Sequence, residues 1–208
     1  MIKKISLVVS LFGLFSLLNG NVCAAKGDPV AGKEKSALCQ GCHGEKGISE
    51  DPTFPKLAGQ FANYIVKQVT DFQQAKRNDD TMSAMAATVT ERQDLKDIAA
   101  YFSTQKQMDG KPIKDKKAEA GKNLFTNGNP RTGLYGCKNC HGVNGKGKSA
   151  NNPLFPVIGG QHKAYIIKQL KAFKDGTRTN DPAGMMGDIA KKLSDNDIDN
   201  VAEYISGL

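Results

Sequence analysis

Tryptophan is absent from this 208-residue chain, and aromatic residues make up only 7% of it. So few rings leave a thin core, and apolar volume has to come from elsewhere. Only three histidines are present, so the choice of imidazole ligands is narrow. No convincing alternating strand pattern is found, which removes the βαβ unit that a thioredoxin-like redox disulfide requires. No nucleic-acid-binding motif occurs. Beyond the N-terminus, no stretch is apolar enough to cross a bilayer.

The N-terminus reads as an export signal. Lys3 and Lys4 form a positive start, and Ile5 to Leu18 is an apolar run of 14 residues, too short to span a membrane. The small residues around Ala24 and Ala25 offer a cleavage site after either one, which would remove Cys23 with the signal; a retained anchor is the alternative. The formal charge of +8 falls to +6 without Lys3 and Lys4. A solvated surface accounts for this excess. A docking face for an acidic redox partner or an anionic membrane surface is the functional alternative, and nucleic acid is not an expected partner.

The remaining sequence repeats itself. Cys39-Gln40-Gly41-Cys42-His43-Gly44 corresponds to Cys137-Lys138-Asn139-Cys140-His141-Gly142. Phe54-Pro55-Lys56-Leu57-Ala58-Gly59-Gln60 corresponds to Phe155-Pro156-Val157-Ile158-Gly159-Gly160-Gln161, and Tyr64 to Gln68 corresponds to Tyr165 to Gln169. A period this long fits two similar domains rather than a solenoid. We place a signal peptide at 1–25, a first domain at 26–106, a linker at 107–116 and a second domain at 117–208.

The expected fold is all-α. Asp28-Pro29 is a helix start. Phe61, Tyr64, Ile65, Gln68 and Phe72 recur at helical spacing, as do their counterparts after Gln161. Thr90 to Gln93 and Ser194 to Asp197 read as capping signatures for the last helix of each half. Tyr64, Tyr165, Phe102 and Ile205 read as core. A domain of this size with few aromatics has a thin core, which a large buried cofactor would complete.

Cys-x-x-Cys-His is the attachment signature of a c-type haem. Two thiols at this spacing reach the two vinyl groups of one porphyrin, and the next residue offers its imidazole to the iron. Cys39, Cys42, Cys137 and Cys140 are thus the expected thioether residues of two covalently bound haems c, and His43 and His141 the proximal ligands. Four-thiolate zinc is the rival, but it leaves the histidine after each pair unexplained. Pro55 and Pro156 are candidates for the backbone carbonyl that holds each imidazole's other N–H.

The sixth ligand is less directly written. His162 is the spare histidine, but its counterpart is Phe61, so it is expected to make surface or inter-domain hydrogen bonds at a helix start. Methionine remains: Met82 or Met85 in the first half, Met185 or Met186 in the second. Met82 lies 8 residues before Thr90 and Met186 lies 8 before Ser194, which pairs them. Counting to Leu95 and Ile198 instead pairs Met82 with Met185, so both second-half residues stay open. Met108, in the linker, is a poor candidate.

Together these residues resemble the di-haem cytochrome c4 family, built from tandem class I cytochrome c domains, over nearly all of the mature chain. The resemblance rests on both Cys-x-x-Cys-His sites, both Phe-Pro segments ending in Gln60 and Gln161, Arg178-Thr179-Asn180-Asp181 and the closing helices. It implies His/Met ligation at each iron, with the methionines mapping onto Met82 and Met186. It implies a monomeric periplasmic one-electron carrier, with peripheral association with the inner membrane a further expectation. Its partners would be a quinol-oxidising or other donor and a terminal oxidase. The first loop between His and the Phe-Pro segment is three residues shorter than the second, so the pockets are not expected to be identical. Two six-coordinate irons suit electron transfer rather than enzyme chemistry. A di-haem peroxidase would need an open iron, and an electron-accepting subunit of a dehydrogenase would share the chemistry but differ in partner.

Overall fold

The computed structural model describes residues 26–150, 152 and 154–208; the expected signal segment lies outside them. The first half forms α1 (Pro29–Lys35), α2 (Ala37–His43), α3 (Ala62–Gln73), α4 (Asp80–Ala87) and α5 (Arg92–Thr104). The second repeats the order with α6 (Lys116–Asn127), α7 (Lys138–His141), α8 (Lys163–Asp175), α9 (Met185–Lys191) and α10 (Asp195–Ser206). Among the described residues there is no β-strand, only an isolated bridge between Asn129 and Leu134.

Local sequence explains most helix ends. Asp28 caps α1, accepting from the Val30 N–H at 2.8 Å, with Pro29 in the first turn. Ser194 and Asp197 form a reciprocal capping box at α10. The matching start of α5 departs from expectation. Glu91 takes the N-cap position and makes no side-chain cap bond, because the short hydroxyl of Thr90 sits one residue too early.

Within each domain the first and last helices cross at a glycine. A Cβ on Gly32 would lie 1.9 Å from the Asp97 carbonyl oxygen, and one on Gly121 would lie 2.0 Å from that of Asn200. Helix backbones approach this closely only where no side chain intervenes. Ile65, Ile98, Ala99, Tyr101 and Phe102 form the first core, and Phe125, Ile166, Val201, Ala202 and Ile205 the second.

The domains face one another as reciprocal copies. Gln60 Nε2 donates to the Val157 carbonyl at 2.8 Å and its Oε1 accepts from the Val157 N–H at 3.1 Å. Gln161 does the same with Lys56, at 2.9 Å in both directions. Arg77 donates to Gln68, to the Tyr165 hydroxyl and to Gln169. Arg178 returns the pattern to Gln169, the Tyr64 hydroxyl and Gln68. Each residue is matched by one 101 positions later, as Gln60 is by Gln161 and Arg77 by Arg178. Both guanidiniums also lie over a phenylalanine ring, Arg77 at 4.7 Å from Phe72 and Arg178 at 4.4 Å from Phe173. The two tyrosines read as core are thus inter-domain acceptors, while Phe102 and Ile205 are core.

The segment read as a linker joins this contact. Met108 is 1% exposed and its N–H donates to the Ala58 carbonyl, while the Gly110 N–H donates to the Leu208 carbonyl. Methionine fills the irregular gap between the domains, a use its flexible thioether suits.

Two predictions follow from this packing. Asp97, 3% exposed on α5, accepts from Lys35, from the Asp28 N–H and from Gln93, and these hold its pKa at about 2 against an ordinary 3.8. A depressed carboxylate pKa stabilises the fold above the unfolded value and loses that contribution as pH falls through the folded one. Asp97→Asn should therefore lower the melting temperature by about 5 °C at pH 7, and the gap should close between about pH 4 and about pH 2; a gap independent of pH would contradict this. Arg77→Met should cost about 2 kcal/mol of coupling between the domains, since it removes the donor to the Tyr165 hydroxyl and one of the donors shared with Arg178 at Gln68 and Gln169. Calorimetry should then resolve two unfolding transitions in place of one, and a single unchanged transition would contradict the interlock.

Candidate haem sites

Each Cys-x-x-Cys-His motif lies on a short helix closed by a glycine. Helix α2 carries Cys39 and Cys42 and ends at His43; α7 carries Cys140, starts from Cys137 and ends at His141. Gly44 at φ 81° and Gly142 at φ 82° turn the chain away immediately, a conformation that favours glycine. The imidazole is left at the helix end.

Both imidazoles are buried, His43 at 5% exposure and His141 at 8%. His43 Nδ1 lies 2.8 Å from the Pro55 carbonyl oxygen, and His141 Nδ1 lies 3.0 Å from that of Pro156. A carbonyl only accepts, so Nδ1 carries the proton. Burial pushes both histidine pKa values down, against the opposing pull of the proline carbonyl, so the rings are neutral at pH 7. The lone pair is then on Nε2, the form that ligates a metal. Proline suits this position because its carbonyl is free of a helical partner and its ring fixes the backbone.

The cysteines are arranged unequally within each pair. Cys39 and Cys137 are partly buried and pack on the core of their own domain, whereas Cys42 and Cys140 are exposed. Burial pushes the Cys39 thiol up and that of Cys137 to about 11. The pairs stand in separate domains, and among the described residues no three His, Cys, Asp or Glu side chains converge to hold a metal ion. The four-thiolate alternative therefore has no geometry here. Leu57, Val66, Val69 and Val89 stay only partly buried around the first core, as do Ile158, Ile167 and Leu170 around the second. An apolar wall beside a thiol pair and a neutral imidazole fits a covalently attached porphyrin.

Met82 on α4 and Met186 on α9 are both half-buried, while Met185 is 37% exposed. Asp181 Oδ2 accepts from both the Met186 N–H, at 2.7 Å, and the Gly187 N–H, as Asp79 Oδ1 accepts from that of Met82, at 3.1 Å. With Glu91 rather than Thr90 as the N-cap of α5, Met82 and Met185 each stand 9 residues before the cap of the next helix, so residue counting does not single out Met186 and both second-domain methionines stay open. His162 sits at the start of α8 and its Nε2 lies 3.0 Å from the Ser49 carbonyl oxygen, across the domain boundary.

Two helical domains, each with a cysteine pair and a buried neutral histidine, define a c-type cytochrome with two covalently bound haems c. A family model described as Cytochrome c matches residues 29–106 and again 118–208. Cytochrome c4 of Pseudomonas aeruginosa is 42% identical over 203 residues, covering 97% of this chain and 98% of the relative. The crystal structure of reduced cytochrome c4 from Pseudomonas stutzeri superposes with a TM-score of 0.82 at 42% identity, covering 88% of this chain and 99% of that one. The chain belongs to the cytochrome c4 family. It is a di-haem electron-transfer protein rather than an enzyme. A protein described as a thiosulfate dehydrogenase electron acceptor, from Thiomonas intermedia, is 34% identical over 187 residues, covering 88% of this chain and 84% of the relative.

Proposed function

We propose that the protein is a periplasmic one-electron carrier of a respiratory chain, monomeric and passing electrons from a quinol-oxidising or other donor to a terminal oxidase. When bound, each haem supplies a one-electron iron couple. His43 and Met82 would hold the iron in the first domain, and His141 and Met186 in the second. Thioethers from Cys39 and Cys42, and from Cys137 and Cys140, would fix each porphyrin to its domain.

The observation that carries this reading is the pair of buried imidazoles, each fixed through Nδ1 by a proline carbonyl beside a cysteine pair. The chain's own residues then set the behaviour of each site. Pro55 and Pro156 hold the histidine tautomer, raising ligand basicity. A thioether ligand raises the reduction potential and closes the iron to small molecules. Lys56, Gln60, Val157 and Gln161 hold the two sites at one separation, so that internal exchange is not limited by domain motion.

Export agrees with the signal-like N-terminus, and no described helix is long and apolar enough to cross a membrane. Peripheral association with the inner membrane is part of the proposal. A second reading, electron acceptor of a dehydrogenase, is favoured by the relative from Thiomonas intermedia. Co-purification with a dehydrogenase subunit would select it over a free carrier.

Ligation is tested by substitution. Met82→Ala should turn one haem high-spin or ligand-exchangeable and remove its share of the weak near-infrared-edge band of methionine-bound ferric iron. Met186→Ala should do the same to the other haem, and Met185→Ala should leave the spectrum intact. An unchanged spectrum for Met82→Ala or Met186→Ala would remove that residue from the assignment.

A further inference from the structure

The duplication allows the two methionine-bearing helices to be compared, and they are anchored differently. Helix α4 is held at both ends. At its start Asp79 is the cap, Oδ1 accepting from the Met82 N–H while Oδ2 accepts from Lys168 Nζ of the second domain at 2.9 Å. At its end Gln73 of α3 reaches over, its Nε2 donating to the Ala86 carbonyl at 3.0 Å and to the Val89 carbonyl at 2.8 Å.

Helix α9 is built differently. Lys174 stands 101 positions after Gln73, as Arg178 does after Arg77, and its Nζ turns to Asp195 at 2.8 Å. The start of α9 follows two residues in the left-handed region, Ala183 at φ 54° and Gly184 at φ 68°. Ala183 carries a Cβ, which that region strains. Gly184 takes the N-cap position and brings no side chain to it, so Asp181 reaches the helix amides from across the Pro182–Gly184 turn. Gly187 inside the helix weakens it further. Ala183, Gly184 and Met185 are exposed, so this turn moves without uncovering buried apolar surface.

We propose that α9 leaves its place more readily than α4, and that the second haem site is where a small neutral iron ligand takes the methionine's position. This rests on the reading of both irons as His/Met given above. Met185 and Met186 both ride on α9, so it holds for either. In the exchange the thioether sulfur departs and the ligand's lone pair replaces it, with no electron or proton moved. Ile167 and Leu170 of α8 and Ile189 of α9 stay partly buried around one core cluster. Such an apolar wall admits a neutral ligand more readily than an anion. Gln73 and Lys168 act as positioning residues for Met82, the second of them from across the domain boundary.

The test adds imidazole to the full mature ferric protein and follows the near-infrared-edge band by stopped-flow. The band should bleach in two phases of similar amplitude, about tenfold or more apart in rate, given two anchors that differ. Methionine variants label the haems. The band left in Met82→Ala should bleach at the fast rate. The band left in Met186→Ala or Met185→Ala, whichever removes half of it, should bleach at the slow rate. Exchanging the anchors should move each phase about threefold: Lys174→Gln with Ala183→Gly slows the fast one, and Gln73→Lys speeds the slow one. Without imidazole, α9 amides should exchange hydrogen about tenfold or more faster than α4 amides, a readout that needs no band. A single bleaching phase, a fast phase belonging to the first haem, or α9 amides as protected as those of α4 would overturn the proposal. A band unchanged in all three methionine variants would overturn the ligand reading itself, and the proposal with it.

Discussion

A hydrogen bond from histidine Nδ1 to a proline carbonyl is the contact on which both halves of this molecule depend. It settles three things at once. It fixes which nitrogen carries the proton, it holds the ring at the end of a short helix, and it satisfies the one donor of a buried neutral imidazole. The consequence is a lone pair on Nε2 beside two thiols that stand on one short segment of chain. Burial of His43 and His141 favours the neutral ring further, which keeps that lone pair free of a proton. The glycine after each histidine makes the arrangement possible by turning the chain at once. The Phe-Pro segment then returns to deliver the carbonyl.

Around this contact the fold is simple. Two helices cross at Gly32 in one domain and at Gly121 in the other, and a third helix, α3 or α8, lays a partly buried apolar face towards the motif. The cofactor supplies the volume that the missing tryptophans and scarce aromatics do not. The two domains are then locked by contacts that each makes in both directions. A duplication explains why. A side chain able to recognise the partner domain's backbone, such as Gln60, is present again as Gln161 and finds the equivalent backbone waiting. Such isologous contacts are familiar between identical subunits; here they occur within one chain.

The haem motifs, the repeat and the helical class were legible in the sequence because each is written in adjacent residues. Pro55 and Pro156 were legible as candidate carbonyls because they recur at the same place in both halves. The interface was not. Gln60, Arg77 and their counterparts repeat as plainly as the cysteines, but repetition alone does not say that a residue faces its own copy. Tyr64 and Tyr165 were read as core for the same reason: helical spacing locates a ring but says nothing about its hydroxyl. Met108 looked like part of a charged tether because its neighbours are charged, and only the structure shows it buried between domains. Residue counting does not choose between Met185 and Met186, because the match depends on whether Thr90 or Glu91 caps α5.

The copies have also diverged around the methionines. The change from Gln73 to Lys174 and the turn Pro182–Gly184 leave the buried histidines alone and alter how each methionine helix is held. A duplicated carrier thereby anchors its two methionine helices differently while keeping one internal geometry.

Intact-mass measurement with thiol titration on the exported, mature protein tests the central claim most directly. The account predicts a chain heavier than its polypeptide by two haems, with none of Cys39, Cys42, Cys137 or Cys140 available to a thiol reagent after unfolding. A chain of bare polypeptide mass with four titratable thiols, or one carrying zinc, would contradict it.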